Sequence, residues 1–293
     1  MFVGKNRKGF LFALGAAATS GFSIYLNRFA VGQTDPVLFS FLKNLIVAVF
    51  LGLFLVRNIK SAKSAFSGKT ALPLAYVAFL SGGLAFLLFF LGLKETSAVS
   101  ANFFHKSMFV FVLVASVFAL RKLSASRAAI SAALLAGNFL FWRVANLSFN
   151  SGDLMILGAT ALWAGEALLA EKFLSGIPAK TISFFRFAGG LPVLGAFLLF
   201  RRTTDWSIAF NSFGWTLALA GVLLAYSFLY FSAIKHFGAF STTAVLSLSP
   251  LVTFALSSGI SFPTVSQGLG AGLVLAGALA LFAFESGKPA SSA

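Results

Sequence analysis

Long runs of apolar residues cover almost the whole chain, and short segments rich in Lys and Arg separate them. A transmembrane helix needs roughly 20 mostly apolar residues, and ten runs approach or exceed that length. The runs are Gly9–Val31, Val37–Val56, Ala71–Leu93, Ser97–Leu120, Ala128–Trp142, Asp153–Phe173, Ala179–Phe200, Phe213–Ile234, Phe237–Ser258 and Val265–Phe284. The pattern therefore predicts an all-α integral membrane protein with ten transmembrane helices.

The composition agrees with a lipid environment. Of the 293 residues, 59% are hydrophobic and 10% are charged, whereas a soluble domain is about 45–50% apolar and 25% charged. A net charge of +15 would suggest nucleic acid in a soluble protein, but here the basic residues cluster in the short loops. There they set the topology and contact anionic lipid, so we expect no nucleic-acid partner.

The distribution of basic residues also predicts the orientation. Most of them, including Lys5, Arg57, Lys63 and Lys122, fall on one side of the membrane, the side of the N-terminus. Because cytoplasmic loops carry the excess of Lys and Arg, we expect both termini to be cytoplasmic and the protein to reside in the cell inner membrane. The first apolar run is too long for a cleaved signal peptide, so we interpret it as the first membrane helix.

The two halves of the chain resemble each other at a nearly constant offset. Leu11–Ala17 resembles Leu154–Thr160, Ser40–Lys43 resembles Ser183–Arg186, and Lys94, Ala98 and Ser100 match Lys235, Ala239 and Ser241. Five helices per half is an odd number, so the second copy begins on the opposite side of the membrane. We predict two inverted five-helix repeats, residues 1–146 and 147–286, followed by a disordered tail at 287–293; secondary transporters commonly have this architecture.

These features resemble the EamA-domain transporters of the drug/metabolite transporter superfamily. The resemblance rests on ten helices in two halves, a basic residue early in the second and seventh helices, Ala- and Ser-rich entries to the fourth and ninth, and glycines in the tenth from Gly270 to Gly277. It implies a transporter of small metabolites. Two features of the family are absent. The fourth helix has Phe109 instead of a proline at the position that corresponds to Pro250 of the ninth helix, and no acidic residue follows the fourth helix.

Ionisable residues inside membrane spans are costly and mark candidate functional sites. Lys106 lies near the middle of the fourth helix, with Asn102 one turn earlier and His105 beside it. This polar patch predicts a site that holds an anionic or carboxylate-bearing group. The alternative for Lys106 is a structural ion pair with Glu166, which is the one carboxylate deep in a predicted span.

Two residues are candidates for proton coupling. Glu166 is one, and His105 is the other because imidazole titrates near neutral pH. Trp163, one turn before Glu166, is expected either to form a cavity wall or to face lipid. Lys43 and Arg186 occupy matching places in their halves. Each either contacts the pathway or, as the second interpretation, hydrogen-bonds carbonyls at a neighbouring helix end or snorkels; for Lys43 we favour the second interpretation.

Further polar and aromatic residues complete the predicted site. Tyr226 and Tyr230 lie one above the other on a helix face and are expected either to line the cavity or to pack in the core. Pro250 permits a kink in the ninth helix; the alternative is a proline that is only tolerated there. The expected substrate-binding residues are Asn102, His105, Lys106, Trp163, Glu166, Arg186, Tyr226, Tyr230, Ser249 and Pro250.

Several classes of function are not expected. The chain has no GxxxxGK[ST] motif for ATP, no cysteine, no His/Glu cluster with metal-ligand spacing and no Ser/His/Asp arrangement for hydrolysis, so we predict no enzymatic activity, cofactor or metal. The predicted function is secondary transport, outward, of amino-acid-like or other carboxylate-bearing solutes by alternating access around a midplane cavity. The alternatives are an anion or sugar-phosphate exchanger and a non-transporting membrane scaffold. The expected partners are a small-molecule solute, the lipid bilayer and, under proton coupling, protons, with the chain as monomer or homodimer.

Overall fold

Ten helical segments make up the described part of the chain. The computed structural model describes residues 2–56, 68–120, 125–144, 149–201, 213–258 and 264–286. The helices are α1 (Phe2–Gln33), α2 (Pro36–Val56), α3 (Gly68–Glu95), α4 (Ala98–Lys106 and Met108–Leu120), α5 (Ala125–Val144), α6 (Ser151–Phe173), α7 (Ala179–Arg201), α8 (Phe213–Phe237), α9 (Ala239–Leu246 and Ser249–Ser258) and α10 (Val265–Ser286).

The predicted fold class is confirmed. Among the described residues, nine helices are long and apolar enough to cross a membrane, and α5 contributes a shorter apolar helix, Ala125–Leu140. Large apolar side chains on the outside, such as Phe118 (81% exposed), Leu199 (81%) and Phe200 (87%), form a surface suited to lipid. The chain is thus a multi-pass membrane protein. The predicted tail and the basic residues Arg57, Lys63 and Lys122 lie outside the described residues.

Side-chain caps explain where several helices begin. The Asp35 carboxylate accepts hydrogen bonds from the amides of Val37 and Leu38, both at 2.9 Å, and Pro36 follows as the first helical residue of α2, where its missing N–H costs nothing. Asn150 and Asp153 form a reciprocal capping box at the start of α6. Polar residues at these loop positions therefore set the ends of the membrane segments.

The predicted continuous fourth and ninth helices are each interrupted near their middle. In α4 the break is at Ser107, whose hydroxyl donates to the Phe104 carbonyl at 2.7 Å. In α9 the Ser247 hydroxyl donates to the Ala244 carbonyl at 2.6 Å. Serine bonds of this kind compete with the helical ladder and bend helices, so the break in α4 needs no proline. Broken helices at membrane depth are typical of transporter sites.

Helix packing follows one pattern in both halves. Helix α1 packs against α8 as α6 packs against α3, and α2 packs against α8 as α7 packs against α3. Helix α1 packs against α9 as α6 packs against α4, and three further pairs, α5 with α10, α2 with α7 and α4 with α9, join equivalent helices of the two halves. The contact pattern is therefore kept when the first five helices are exchanged with the last five.

The tightest crossing joins α3 to α7. Added Cβ atoms at Gly82 and Gly190 would overlap the Arg186 and Gly82 carbonyl oxygens, respectively. Small residues of this kind let membrane helices approach closely. The residues of α3 around this crossing, Tyr76–Leu84, are wound as a π-helix, a geometry that often occurs at functional sites. This crossing fixes the position of Arg186 relative to α3.

Candidate functional site

A cavity of about 50 Å³ lies between the two halves. That volume holds a few water molecules, so the helices must separate further to admit an organic solute. Seven helices, α1 to α4 and α6 to α8, supply its lining residues, which are Ser20, Ser23, Ile24, Asn27, Lys43, Phe86, Phe89, Phe90, His105, Met108, Trp163, Glu166, Arg186, Leu223, Tyr226 and Tyr230.

A buried ion pair joins α6 to α7 in the second half of the chain. The Arg186 Nε lies 3.3 Å from Glu166 Oε1, and the two side chains are 4% and 0% exposed. Arg186 also holds its guanidinium over the rings of Phe86 at 5.2 Å and Trp163 at 5.6 Å. The cation is thus held by a carboxylate and by aromatic faces, an arrangement that suits arginine in a water-poor site.

A second buried cation, Lys43, lies in the first half, and no carboxylate of the described residues pairs with it. Its Nζ donates to Asn27 Oδ1 at 2.9 Å, and the Asn27 amide in turn donates to Ser23 Oγ at 3.1 Å. The amine also lies over the rings of Phe39 at 5.0 Å and Phe90 at 4.9 Å. The interpretation favoured for Lys43, a bond to helix-end carbonyls or a snorkelling amine, is therefore wrong: the side chain is buried and lines the cavity.

One face of α3 lies against both cations. Phe86 and Phe90 are one turn apart and their rings stack, with centroids 6.2 Å apart and planes 11° from parallel. Arg186 lies over Phe86, and Lys43 lies over Phe90. Aromatic faces therefore replace some of the hydration that both cations lose on burial.

His105 and Lys106 lie at the end of the first part of α4, directly before the break at Ser107. The Lys106 Nζ is buried and lies 5.5 Å from the Tyr226 ring centroid. The His105 ring packs edge-on against Trp163 at 4.6 Å. Neither the Lys106 Nζ nor the His105 Nδ1 has a hydrogen-bond partner within the described ranges. The alternative ion pair between Lys106 and Glu166 is not formed, because Glu166 pairs with Arg186.

Asn102 and Ser249 lie together, away from the cavity lining. The Asn102 amide donates to Ser249 Oγ at 3.1 Å and to the Thr253 hydroxyl, and Ser249 donates back to Asn102 Oδ1 at 3.1 Å. Thr253 then donates to the Gly21 carbonyl at 2.8 Å. This network joins α4, α9 and α1, and Pro250 lies beside it in the first turn of the second part of α9.

The aromatic residues predicted for the site lie in the cavity wall. Tyr226 and Tyr230 stack with centroids 5.6 Å apart, and the buried Tyr230 hydroxyl has no partner. Trp163 donates its indole N–H to the Ser81 carbonyl at 3.0 Å, in the π-helical part of α3. This bond and the π-helix keep Trp163 facing inward, so the wall position, and not the lipid-facing one, is found.

Sequence reasoning missed Asn27 and the serines of α1 as cavity residues, and it named the pathway contact of Lys43 without favouring it. The nearly constant offset between the two repeats could have identified Ser23 and Lys43 as candidates. Ser23 lies 143 positions before Glu166, and Lys43 lies 143 positions before Arg186, so the partners of the second half point to their counterparts in the first.

The cavity wall carries more basic than acidic side chains among the described residues. Lys43 and Arg186 line the cavity, and Lys106 lies against its Tyr226 wall, whereas Glu166 is the one carboxylate among the described lining residues. Phe, Trp and Tyr supply six of the thirteen other lining residues. In the described ranges no group of three or more His, Asp or Glu side chains is arranged to hold a metal ion.

Comparisons with known proteins agree with this architecture. An uncharacterized transporter, YyaM of Bacillus subtilis strain 168, is 28% identical over 140 residues, which cover 46% of this chain and 46% of that protein. The matched region thus spans about half the length of that relative. A crystal structure of another protein, at 15% identity, covers 96% of both chains with a TM-score of 0.71, a likeness of fold. The EamA-like transporter family matches residues 7–143 and again residues 150–283, and because these matches cover nearly the whole chain, the protein belongs to that family.

Proposed function

We propose that this protein is a secondary transporter of small carboxylate-bearing organic solutes, such as amino acids, and that it exports them. The observation that carries the proposal is the excess of buried cationic side chains over carboxylates around one aromatic cavity. Lys43, Lys106 and Arg186 face a single acid, Glu166, and that acid is already paired. A buried cation without a counter-charge is costly, and an anionic solute supplies that charge.

Alternating access accounts for the arrangement of the helices. We infer two repeats, residues 1–146 and 147–286, that rock against each other around the cavity, with the breaks in α4 and α9 as the places where each repeat bends. Both termini then lie in the cytoplasm of a cell whose inner membrane holds the protein. Glu166 and His105 are the candidate proton carriers, and the transporting unit is a monomer or homodimer.

The direct test is solute flux in proteoliposomes. Lys106→Ala and Glu166→Gln are compared with the wild type after equal amounts of folded protein are reconstituted, with L-phenylalanine, nucleosides and organic anions as probes. We expect flux of a carboxylate-bearing probe in the wild type and a clear loss in both variants. Wild-type rates in both variants would show that the assigned residues do not serve transport.

An anion or sugar-phosphate exchanger is the second candidate, and the positions of Lys106 and Arg186 favour it. Both side chains lie at or beside the cavity wall, and Lys106 has no hydrogen-bond partner. An exchanger needs a counter-substrate on the opposite side of the membrane, whereas a proton-coupled exporter does not. Flux that stops when the receiving side lacks any anionic solute would identify the exchanger.

A further inference from the structure

Lys43 and Arg186 occupy equivalent positions in the two halves, but their side chains have different partners. Lys43 and Arg186 are each the eighth residue of their helix, α2 and α7. Ser23 of α1 and Glu166 of α6 are separated by the same offset on the preceding long helices; Glu166 pairs directly with Arg186, whereas Ser23 reaches Lys43 only through Asn27. Where the second half provides a carboxylate, the first half therefore provides a short hydroxyl.

The first half leaves its cation incompletely satisfied. An ammonium group has three donor protons, and among the described residues Lys43 has one hydrogen-bond acceptor, Asn27 Oδ1 at 2.9 Å. No carboxylate lies within ion-pair distance of it among those residues. A neutral amide compensates a buried charge less well than a carboxylate does, so Lys43 is poised to accept an anion.

The cavity reaches Lys43. Ser23, Asn27 and Lys43 all line it, as does Glu166 of the second half. Glutamate has three more side-chain heavy atoms than serine and a negative charge, so at these corresponding positions the first half has both less volume and less charge. The ion pair of Glu166 with Arg186 is thus a contact that has no counterpart at Lys43 among the described residues.

We propose that the solute carboxylate binds Lys43 in the place that Glu166 takes beside Arg186, so that solute and protein each complete one of two equivalent ion pairs. Asn27 and Ser23 hold the ammonium in position, and the rings of Phe39 and Phe90 cover its other side. This assignment rests on the proposed function and makes Lys43, which the sequence did not single out as a solute contact, the carboxylate anchor.

Asn27→Asp tests the proposal with a change of one atom. It gives Lys43 an internal carboxylate at the existing 2.9 Å contact, so it should exclude a solute carboxylate while preserving packing. The measurement is equilibrium binding of benzoate to the purified protein, with the isosteric neutral benzamide as the matched probe. We expect wild-type protein to prefer benzoate, and Asn27→Asp and Lys43→Met to weaken benzoate binding by about 30-fold or more, the loss typical of a buried charge pair.

Three further variants separate the effect of charge from that of disruption. Ser23→Glu adds the carboxylate of the second half to the first and should abolish benzoate binding; Ser23→Gln, of the same size but neutral, occupies the same space and should weaken the binding of benzoate and benzamide alike. Lys43→Arg keeps the cation and should retain the preference for benzoate over benzamide, which Lys43→Met should lose. If Asn27→Asp folds poorly, the Lys43 pair decides the question.

The outcomes distinguish this inference from the proposed function. Wild-type preference for benzoate with unchanged affinity in Lys43→Met, or in Ser23→Glu, would overturn the assignment of Lys43 and leave carboxylate transport standing. Equal binding of benzoate and benzamide by the wild type, or binding of neither while no carboxylate shows flux, would overturn the proposed function together with the inference.

Discussion

Lys43 and Arg186 hold their cationic groups over two stacked rings one turn apart on α3, Phe90 and Phe86, but Arg186 alone has a carboxylate partner. The two cations are 143 positions apart in the chain (186 minus 43). A fold that repeats itself would be expected to give equivalent residues equivalent partners. The difference lies at the cavity, and we interpret it as the place where the solute completes the pattern.

Removing Glu166 should destabilise the protein strongly. Glu166→Gln leaves the buried Arg186 guanidinium without a counter-charge, a change that typically costs about 3–5 kcal/mol. The free energy of unfolding in mixed micelles measures it. The double variant Glu166→Met/Arg186→Met removes both charges and should be more stable than Glu166→Gln. A double variant less stable than the single one would contradict a simple buried pair.

Asn102 should act mainly through stability. Asn102→Ala breaks the bonds that link α4 to Ser249 and Thr253 of α9, and we expect a loss of about 1–2 kcal/mol in the free energy of unfolding. Ser116→Ala is the control, because the Ser116 hydroxyl donates to Val112 within its own helix. The affinity for transported solute should stay unchanged in Asn102→Ala; a large loss of affinity with normal stability would instead make Asn102 a solute contact.

The crossing of α3 and α7 should not tolerate a methyl group. In Gly82→Ala the new Cβ would overlap the Arg186 backbone carbonyl, and since backbone cannot move aside cheaply, the helices must separate, with a loss of about 1–3 kcal/mol. Gly221→Ala in α8 is the matched control, because nothing lies within 4 Å of its added Cβ. That control should be neutral or stabilising by up to about 1 kcal/mol. Equal stability of the two variants would contradict the close packing described.

The cavity should become accessible to water during the transport cycle. The chain has no cysteine, so single cysteines report on one position each. Ser23→Cys, at the cavity lining, should react with a charged methanethiosulfonate reagent, and Ser249→Cys, which is fully buried outside the lining, should not. Mass spectrometry of labelled protein gives the extent of reaction. Protection of both positions from either membrane face would favour the scaffold alternative.

Much of the fold was predictable from the lengths of the apolar runs, because in lipid every span must make its backbone hydrogen bonds within a helix. The breaks in α4 and α9 were not predictable, because in the sequence Ser107 and Ser247 look like any other serine of a membrane helix. Their distinguishing feature is the carbonyl to which each hydroxyl donates. The π-helix of α3, Tyr76–Leu84, was likewise not predictable, because its hydrophobic pattern does not distinguish it from an α-helix.

The site was predictable in part for a related reason. Charged residues in apolar runs stand out, which identified Glu166, Arg186 and Lys106 as candidates, but charge alone does not say which groups meet. The pairing of Glu166 with Arg186, and the separation of Asn102 from the cavity, depend on helix rotation. Ser23 and Asn27 were overlooked because small polar residues are common in membrane helices.

Counterflow in proteoliposomes tests whether solute carboxylates pass through this cavity. Vesicles that contain the wild-type protein are loaded with unlabelled L-phenylalanine, and the transient accumulation of external radiolabelled L-phenylalanine is followed. L-phenylalaninamide, loaded and offered in the same way, lacks the carboxylate and is the matched control. We expect an overshoot with L-phenylalanine and none with the amide. No overshoot with any carboxylate-bearing probe, or an equal overshoot with the amide, would contradict transport of carboxylates through the cavity.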